Sequence, residues 1–358
     1  SLKDRYVFNA NVRSDASNRF GQDANKQFDP TYSFGISWRM AEEEFVKTYL
    51  PWLNQLNLRA TYGVQGNVVT SISPDLITQY QGILPGYNEY YLTISSLPNP
   101  LLKWERTKTW NLGLDLQLFN GISMSLEYYG RRSNAIINQD IAQEYGMNAM
   151  KLNGGRIHNH GLEYSVNITP YQRKDFVWTI GINASKNWNR TQNNDIRTKA
   201  GKITKSNFLT GSSDRFLKKG YPLSAFWSYS FAGLDPETGY PTFNLIDFEE
   251  ADPDIDPTTF LVYSGQKDPY FTGGVNTRAR YKSFSLGVNF SVLLGAKKRL
   301  PNPYQNFSHG KLPDPFYNLS KDLLKRWQKT GDEKHTIYPA LYTSVEDLYN
   351  IQLPDGTM

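Results

Sequence analysis

The sequence predicts an all-β fold: a segment of an antiparallel transmembrane β-barrel with long extracellular loops. Three observations point there. Strict alternation of apolar and polar residues recurs nine times, and a period of two places one residue set on each face of a strand. The connections between these strands are long and short in turn. Aromatic residues are abundant, with Tyr 24, Phe 19 and Trp 8, alongside 27 Gly and no Cys, which is a β-type usage.

The length of 358 residues accommodates one large domain or two ordinary ones. No run approaches the roughly 18 consecutive apolar residues of a spanning helix, and the mean hydropathy of -0.57 resembles that of a water-soluble chain. Mean hydropathy is a poor guide to barrels, because lipid-facing residues alternate with lumen-facing ones and long polar loops dilute both. The formal charge of +5 is modest, with Lys and Arg scattered, so nucleic acid is not an expected partner. Without Cys there is no disulfide framework and no zinc–thiolate site. The opening Ser1 to Arg5 is polar and carries no signal peptide, so the start reads as a cut inside a longer protein.

The strands follow in order. The first sets Tyr6, Phe8, Ala10 and Val12 against Asn9, Asn11 and Arg13, and the second sets Tyr32, Phe34, Ile36 and Trp38 against Ser33, Gly35, Ser37 and Arg39. In the third, Leu56, Leu58, Ala60, Tyr62 and Val64 oppose Asn57, Arg59, Thr61, Gly63 and Gln65. The fourth opposes Trp110, Leu112, Leu114, Leu116 and Leu118 to Asn111, Gly113, Asp115 and Gln117, and Asn120-Gly121 then turns the chain. The fifth carries Ile122, Met124, Leu126 and Tyr128, the sixth Leu162, Tyr164, Val166 and Ile168, and the seventh Phe176, Trp178, Ile180, Ile182 and Ala184. The eighth, Gly273 to Tyr281, alternates weakly, and the ninth restores the pattern through Phe284, Leu286, Val288, Phe290 and Val292.

A soluble sandwich also alternates, so the connections arbitrate. Long polar segments follow strands one, three, five, seven and nine, whereas four and five, six and seven, and eight and nine are joined by a few residues. Short inner turns and long outer loops are the pattern of a bacterial outer-membrane barrel. The segment 41–55 is the exception: Glu42, Glu43 and Glu44, followed by Phe45, Val46 and Tyr49, predict a short helix lying at the interface. Tyr6, Trp38, Trp110, Phe176 and Trp188 sit at strand ends and suit aromatic girdles. Residues 1–294 are thus expected to hold nine barrel strands with their loops, with 189–271 a long extracellular loop region. Residues 295–358 are expected to be an extracellular loop with a short amphipathic helix at 318–329, truncated before the final strands.

No catalytic constellation is present. His158-x-His160 places two imidazoles on one strand face, where they could hold a metal, but the pair reads better as a polar strand start at the loop boundary. The acidic run Asp247, Glu249, Glu250, Asp252, Asp254 and Asp256 begins like a calcium loop. Pro257 occupies the position that needs Gly and Tyr263 the place of the bidentate Glu, so it reads as a solvated loop. Gly154-Gly155 and Gly273-Gly274 lack the strand-to-helix context of a phosphate cradle.

Several segments resemble the SusC/RagA family of TonB-dependent outer-membrane receptors. They are Asp4-Arg5-Tyr6; Asp15-Ala16-Ser17-Asn18-Arg19-Phe20-Gly21, where Ala16 and Asn18 depart from the commonest residues; and Leu56 to Gly63 with Gly66-Asn67. The most specific is Asn99-Pro100-Leu101-Leu102-Lys103-Trp104-Glu105 followed by Asn111-Leu112-Gly113-Leu114-Asp115. Gly220-Tyr221-Pro222-Leu223, Gly239 to Phe243, and Arg326-Trp327 with Gly331-Asp332 extend the resemblance along nearly the whole chain.

The resemblance implies the middle-to-late part of a roughly 22-stranded barrel, without the plug, the TonB-contacting segment or the last strands. It also implies import of a bulky nutrient, most often an oligosaccharide and in part of the family an oligopeptide. A SusD-like surface lipoprotein would cap the outer face, TonB would act through the absent plug, and no cofactor is expected. Sugar rings stack on aromatic side chains, which makes the loop residues Tyr87, Tyr90, Tyr91, Trp227 and Tyr229 the candidate substrate contacts. A soluble β-rich carbohydrate-binding enzyme or adhesin is the competing class.

Overall fold

The computed structural model describes residues 2–20, 27–147, 149–192, 218–244, 261–300, 303–304, 316, 318–341 and 351. The chain divides into two compact units. The first is dominated by one nine-stranded sheet. Its strands are β1 (Tyr6–Ala16), β2 (Phe28–Arg39), β3 (Leu53–Asn67), β6 (Glu105–Leu118), β7 (Ile122–Asp140), β8 (Ala149–Gln172), β9 (Phe176–Thr191), β14 (Phe271–Tyr281) and β15 (Phe284–Leu294). These contain the nine alternating stretches, and every neighbouring pair is antiparallel. Among the described residues β1 and β15 each pair on one side only, so the sheet is not seen to close on itself.

Register turns nine separate alternations into two continuous faces. Leu58 pairs with Leu114, which pairs with Leu126, which pairs with Tyr164. One residue further along, Arg59 pairs with Gly113, which pairs with Glu127 and then Glu163. Because side chains alternate strictly, a single register shift would move the apolar set to the polar face.

Two expectations about connections change. The polar segment after the fifth alternating stretch is mostly ladder rather than loop: β7 has 19 residues and β8 has 24, paired out to Asp140 and Ala149. At roughly 3.3 Å per residue, 24 residues reach roughly 80 Å, far beyond a hydrocarbon core of about 30 Å. Backbone pairing continues there without the apolar face that marks a lipid-facing strand. Inside the segment after the third stretch lies a separate hairpin, β4 (Ile77–Leu84) with β5 (Glu89–Ser96).

The predicted interfacial helix is present as a 3-10 turn, Met40–Glu42, running into α1 (Glu44–Tyr49). Val46 is buried while Phe45 and Tyr49 are exposed, as a helix lying flat requires. Glu43 anchors it: its carboxylate accepts from Arg5 Nη1 (2.7 Å), the Tyr6 hydroxyl (2.9 Å) and Trp38 Nε1 (3.0 Å). The Arg5-Tyr6 pair of the family-like segment thereby ties the first strand to the helix.

A small buried cluster locks the outer strand ends. Phe20, Ile72, Leu102 and Trp104 pack together, and Phe20 and Leu102 are the largest fully buried side chains. Such burial contributes roughly 1.5–3 kcal/mol each. Trp104 Nε1 donates to the Gln27 carbonyl, and Arg106 pairs with the buried Asp29. A side chain at Gly66 would collide with Asp29 and crowd Trp104. Glu105 accepts from Asn67 and from the Ile136 amide, and Asn99 donates to the Lys151 carbonyl. The most family-like stretch, 99–105, is therefore a knot joining β3, β6, β7 and β8.

The second unit carries β10 (Ala225–Tyr229) paired with β13 (Leu261–Gln266), and β11 (Phe231–Leu234) paired with β12 (Pro241–Phe243). Gly239, with φ +69°, lies under the Trp327 ring, where any Cβ would clash, and its carbonyl accepts from the Ala340 amide. The predicted amphipathic helix at 318–329 is instead a 3-10 turn at Lys321–Lys325. Leu323 is buried there but Leu324 is 76 % exposed. A turn of five residues with three per revolution cannot present Leu319, Leu323, Leu324 and Trp327 as one stripe.

Candidate functional site

On the polar face of the sheet, Arg59 ties three strands together. Arg59 on β3 donates to Asp115 on β6 through Nε (2.7 Å) and Nη2 (3.1 Å), and Nη2 also reaches Glu127 on β7 at 2.8 Å. To do so it passes over β6 at Gly113, where a Cβ would meet the guanidinium at 3.1 Å. Asn111 donates to the other Glu127 oxygen at 2.9 Å, and Ser125 donates to Asp115 at 3.0 Å. Glu163 lies directly opposite Glu127 and has no cationic partner among the described residues. Beside it, Ser125, Glu127, Glu163, Ser165, Asn183, Ser185 and Thr272 line a depression of about 240 Å³. This wall of hydroxyls, amides and carboxylates offers both donors and acceptors to a polar solute. The expected site residues did not include it, although the period-two polar faces carry its signal.

The opposite face is apolar and exposed. Phe8, Phe34, Leu112, Leu126, Tyr128, Leu162 and Phe290 all lie open. A furrow of about 650 Å³ on this face is bordered by Tyr6, Phe8, Ile36, Trp38, Leu58, Leu112, Leu114, Leu126 and Tyr128. An apolar hollow of this size is an ordinary small-molecule site, but here it is continuous with a face that spans many strands, so its fitting occupant is lipid acyl chain.

The loop aromatics separate into two groups. Tyr87 occupies the β4–β5 turn at 74 % exposure, and Tyr90 on β5 is 73 % exposed with its ring tilted against Tyr80 at 5.8 Å. Tyr91, on the other face of the same strand, is half-buried. Trp227 and Tyr229 belong to β10 in the second unit. Trp227 is only 6 % exposed, edge-on to Tyr263 at 5.8 Å, and its carbonyl accepts from Arg299. Tyr229 packs edge-on to Phe243 at 5.8 Å.

His158 and His160 have ring centroids 5.5 Å apart, and His160 stacks flat on Trp188. Among the described residues no group of three or more His, Cys, Asp or Glu gathers for a metal. The acidic run 247–256 lies outside the described residues.

Known proteins place this arrangement. The sequence profile described as "TonB dependent receptor-like, beta-barrel" matches residues 1–297. TonB-dependent receptor P3 of Formosa agariphila is 26% identical over 361 residues, covering 94% of this chain and 34% of the relative. TonB-dependent receptor SusC of Bacteroides thetaiotaomicron is 29% identical over 314 residues, covering 82% of this chain and 30% of the relative. Among solved structures, that of the RagAB peptide transporter superposes with a TM-score of 0.74 at 25% identity, over 95% of this chain and 37% of that one. The chain spans about a third of the length of these proteins.

Proposed function

Because this chain belongs to the TonB-dependent receptor β-barrel family, and to its SusC/RagA type in the outer membrane, we propose that it forms part of the wall and outer loops of a receptor importing a bulky oligosaccharide. Residues 1–294 would supply barrel strands and their loops, and 295–358 a further outer-loop region. A SusD-like lipoprotein would close the outer mouth, and TonB would supply energy from the inner side. The reading assigns no catalytic step.

The observation that carries the oligosaccharide reading is the exposed pair Tyr87 and Tyr90 on the β4–β5 hairpin. Rings exposed on a loop offer flat faces to the C–H faces of sugars. The lumen wall around Ser125, Ser165, Asn183 and Ser185 suits a hydroxyl-rich solute passing behind them. Trp227, nearly buried, and Tyr229 would act in this reading by supporting the β10–β13 loop sheet rather than by touching substrate themselves.

Oligopeptide import is the second reading, favoured by the likeness to the RagAB peptide transporter. Calorimetric titration of the intact receptor and its lipoprotein with glycan and peptide panels decides between them. Glycan binding that weakens roughly 2- to 10-fold in Tyr87→Ala and Tyr90→Ala is expected, the worth of one lost ring contact. Exclusive peptide binding would sink the oligosaccharide reading.

A further inference from the structure

On the lipid side of the sheet, one step beyond the aromatic row, four adjacent strands each present a basic residue. Lys108 on β6 pairs with Arg132 on β7, which pairs with His158 on β8, which pairs with Arg190 on β9. Opposed residues on neighbouring strands lie about 4.5–5.5 Å apart, so the four form a continuous row. Lys108, Arg132 and Arg190 are exposed and His158 is half-buried.

The residues toward the apolar band are Trp110, Gly130, His160 and Trp188. Trp110 lies over Gly130, and His160 stacks on Trp188 at 5.1 Å. Of the nearby carboxylates, Glu105, Asp115, Glu127 and Glu163 stand at odd positions on the opposite face, and Asp29 is already held by Arg106. Among the described residues, Lys108, Arg132 and Arg190 form no ion pair. Lys108 and Arg132 are like charges in adjacent register positions, which repel, and Arg190 stands one strand beyond His158, so an external anion would stabilise the row.

Its height says which. Lys108 and Arg132 stand ten residues from the inner strand ends Leu118 and Ile122. At roughly 3.3 Å per residue and a tilt of roughly 40°, they lie roughly 25 Å above the inner boundary, which is the height of the apolar band. Cations at that level, contiguous with exposed apolar side chains below, match a molecule that is anionic at one end and hydrocarbon at the other.

We propose that Lys108, Arg132, His158 and Arg190 form a binding site for the phosphorylated headgroup of an outer-leaflet lipid, whose acyl chains lie over Trp110, Trp188 and the leucines beneath. Free phosphate would satisfy the row but leave the apolar part unused.

The test is native mass spectrometry of the intact receptor in nanodiscs containing a phosphorylated lipid or its dephosphorylated counterpart. Retention of the phosphorylated lipid should fall roughly tenfold or more in K108Q/R132Q/R190Q, at about one phosphate–cation interaction per residue lost, and weaken with added salt. The lumen-face variant R131Q/R278Q should retain lipid as the unaltered receptor does. Unchanged heat-modifiability on gels checks that the triple variant is folded. R132K/R190K, which keeps the charge, should hold most of the lipid, and the milder R132Q/R190Q, which should hold measurably less than R132K/R190K, serves if the triple variant does not fold. Equal retention of the two lipids, unaltered retention in the triple variant, or displacement of lipid by millimolar inorganic phosphate would each overturn the proposal.

Discussion

Arg59 reaches Glu127 only because Gly113 stands between them without a side chain. The pair belongs to a partly exposed network, so its worth is best read as a coupling rather than as a salt-bridge energy. Gly113→Val should displace the guanidinium and lower the unfolding midpoint of the intact receptor. Once Arg59 is already Ala, the same change should cost about 1 kcal/mol less. Additive losses in that double-mutant cycle would show that the glycine serves something other than Arg59. Glu43 makes a pH prediction at the same scale. Hydrogen bonds from Trp38 and Tyr6, with the Arg5 charge beside them, hold its carboxyl below the usual carboxylate range. A carboxyl whose folded value is depressed stabilises the fold in full above its ordinary value and loses that contribution as pH falls through the folded one. The difference in thermal midpoint between the native receptor and Glu43→Gln should therefore be constant from neutrality down to about the ordinary value of 4.5, then shrink below it. A difference that shrank between pH 7 and 6 would place another group in control.

At the scale of elements, the stretch 99–105 behaves as a clasp. Leu102 is fully buried and Trp104 nearly so, between strands whose lipid faces are open. Leu102→Ala should cost about 2–5 kcal/mol, read as a lower denaturant midpoint of the refolded receptor. It should leave the inner girdle at Tyr6 and Trp38 unaffected, because those rings are stacked on each other and tied to Glu43 at the other end of the strands. The alternations at 56–64, 110–118 and 284–292 were readable from sequence because each strand there separates lipid from lumen. Outside the membrane that contrast disappears, and so the paired stretch from Arg131 to Asp140 resembled a loop although its backbone is fully laddered to β8. Hydrogen exchange checks the difference: amides of 131–137 should exchange slowly, as in a ladder, while those of a free loop would exchange within seconds. The helix expected at 318–329 shrinks to the 3-10 helix Lys321–Lys325 for another reason, since the spacing of its leucines was read without the tertiary contacts that bury Leu323 alone. Tyr87 and Tyr90 could be found as loop aromatics, but their common hairpin could not, because its pairing depends on a register bulge near Tyr80.

At the scale of the whole sheet, the central inference is that its two faces meet different solvents. Exposure alone does not say so, for a single exposed leucine such as Leu112, 53 % exposed, is ordinary on a water-soluble surface as well. Pairing does. Leu112 continues through Tyr128 and Leu162 on adjacent strands, whereas Asn111, one residue away, bonds the Glu127 carboxylate on the other side. If the apolar face meets hydrocarbon, a cation placed on it must be dehydrated or drag water into the bilayer, at a cost that grows toward the midplane. Leu112 is six residues from the inner end of β6, or roughly 15 Å along the membrane normal at the usual rise and tilt, close to the middle of the apolar band. Leu112→Arg should therefore cost about 2–4 kcal/mol in the unfolding free energy of the receptor refolded into bilayers. Thr61→Arg, on the polar face beside Asn111, should change it little, since its guanidinium remains in the aqueous lumen near Glu127. The same pair measured in detergent micelles should differ less, because a micelle deforms around a charge more readily than a bilayer. Equal penalties for the two substitutions in bilayers would mean that both faces meet the same medium. The nine strands would then have to be read as part of a water-soluble sheet with its apolar side covered.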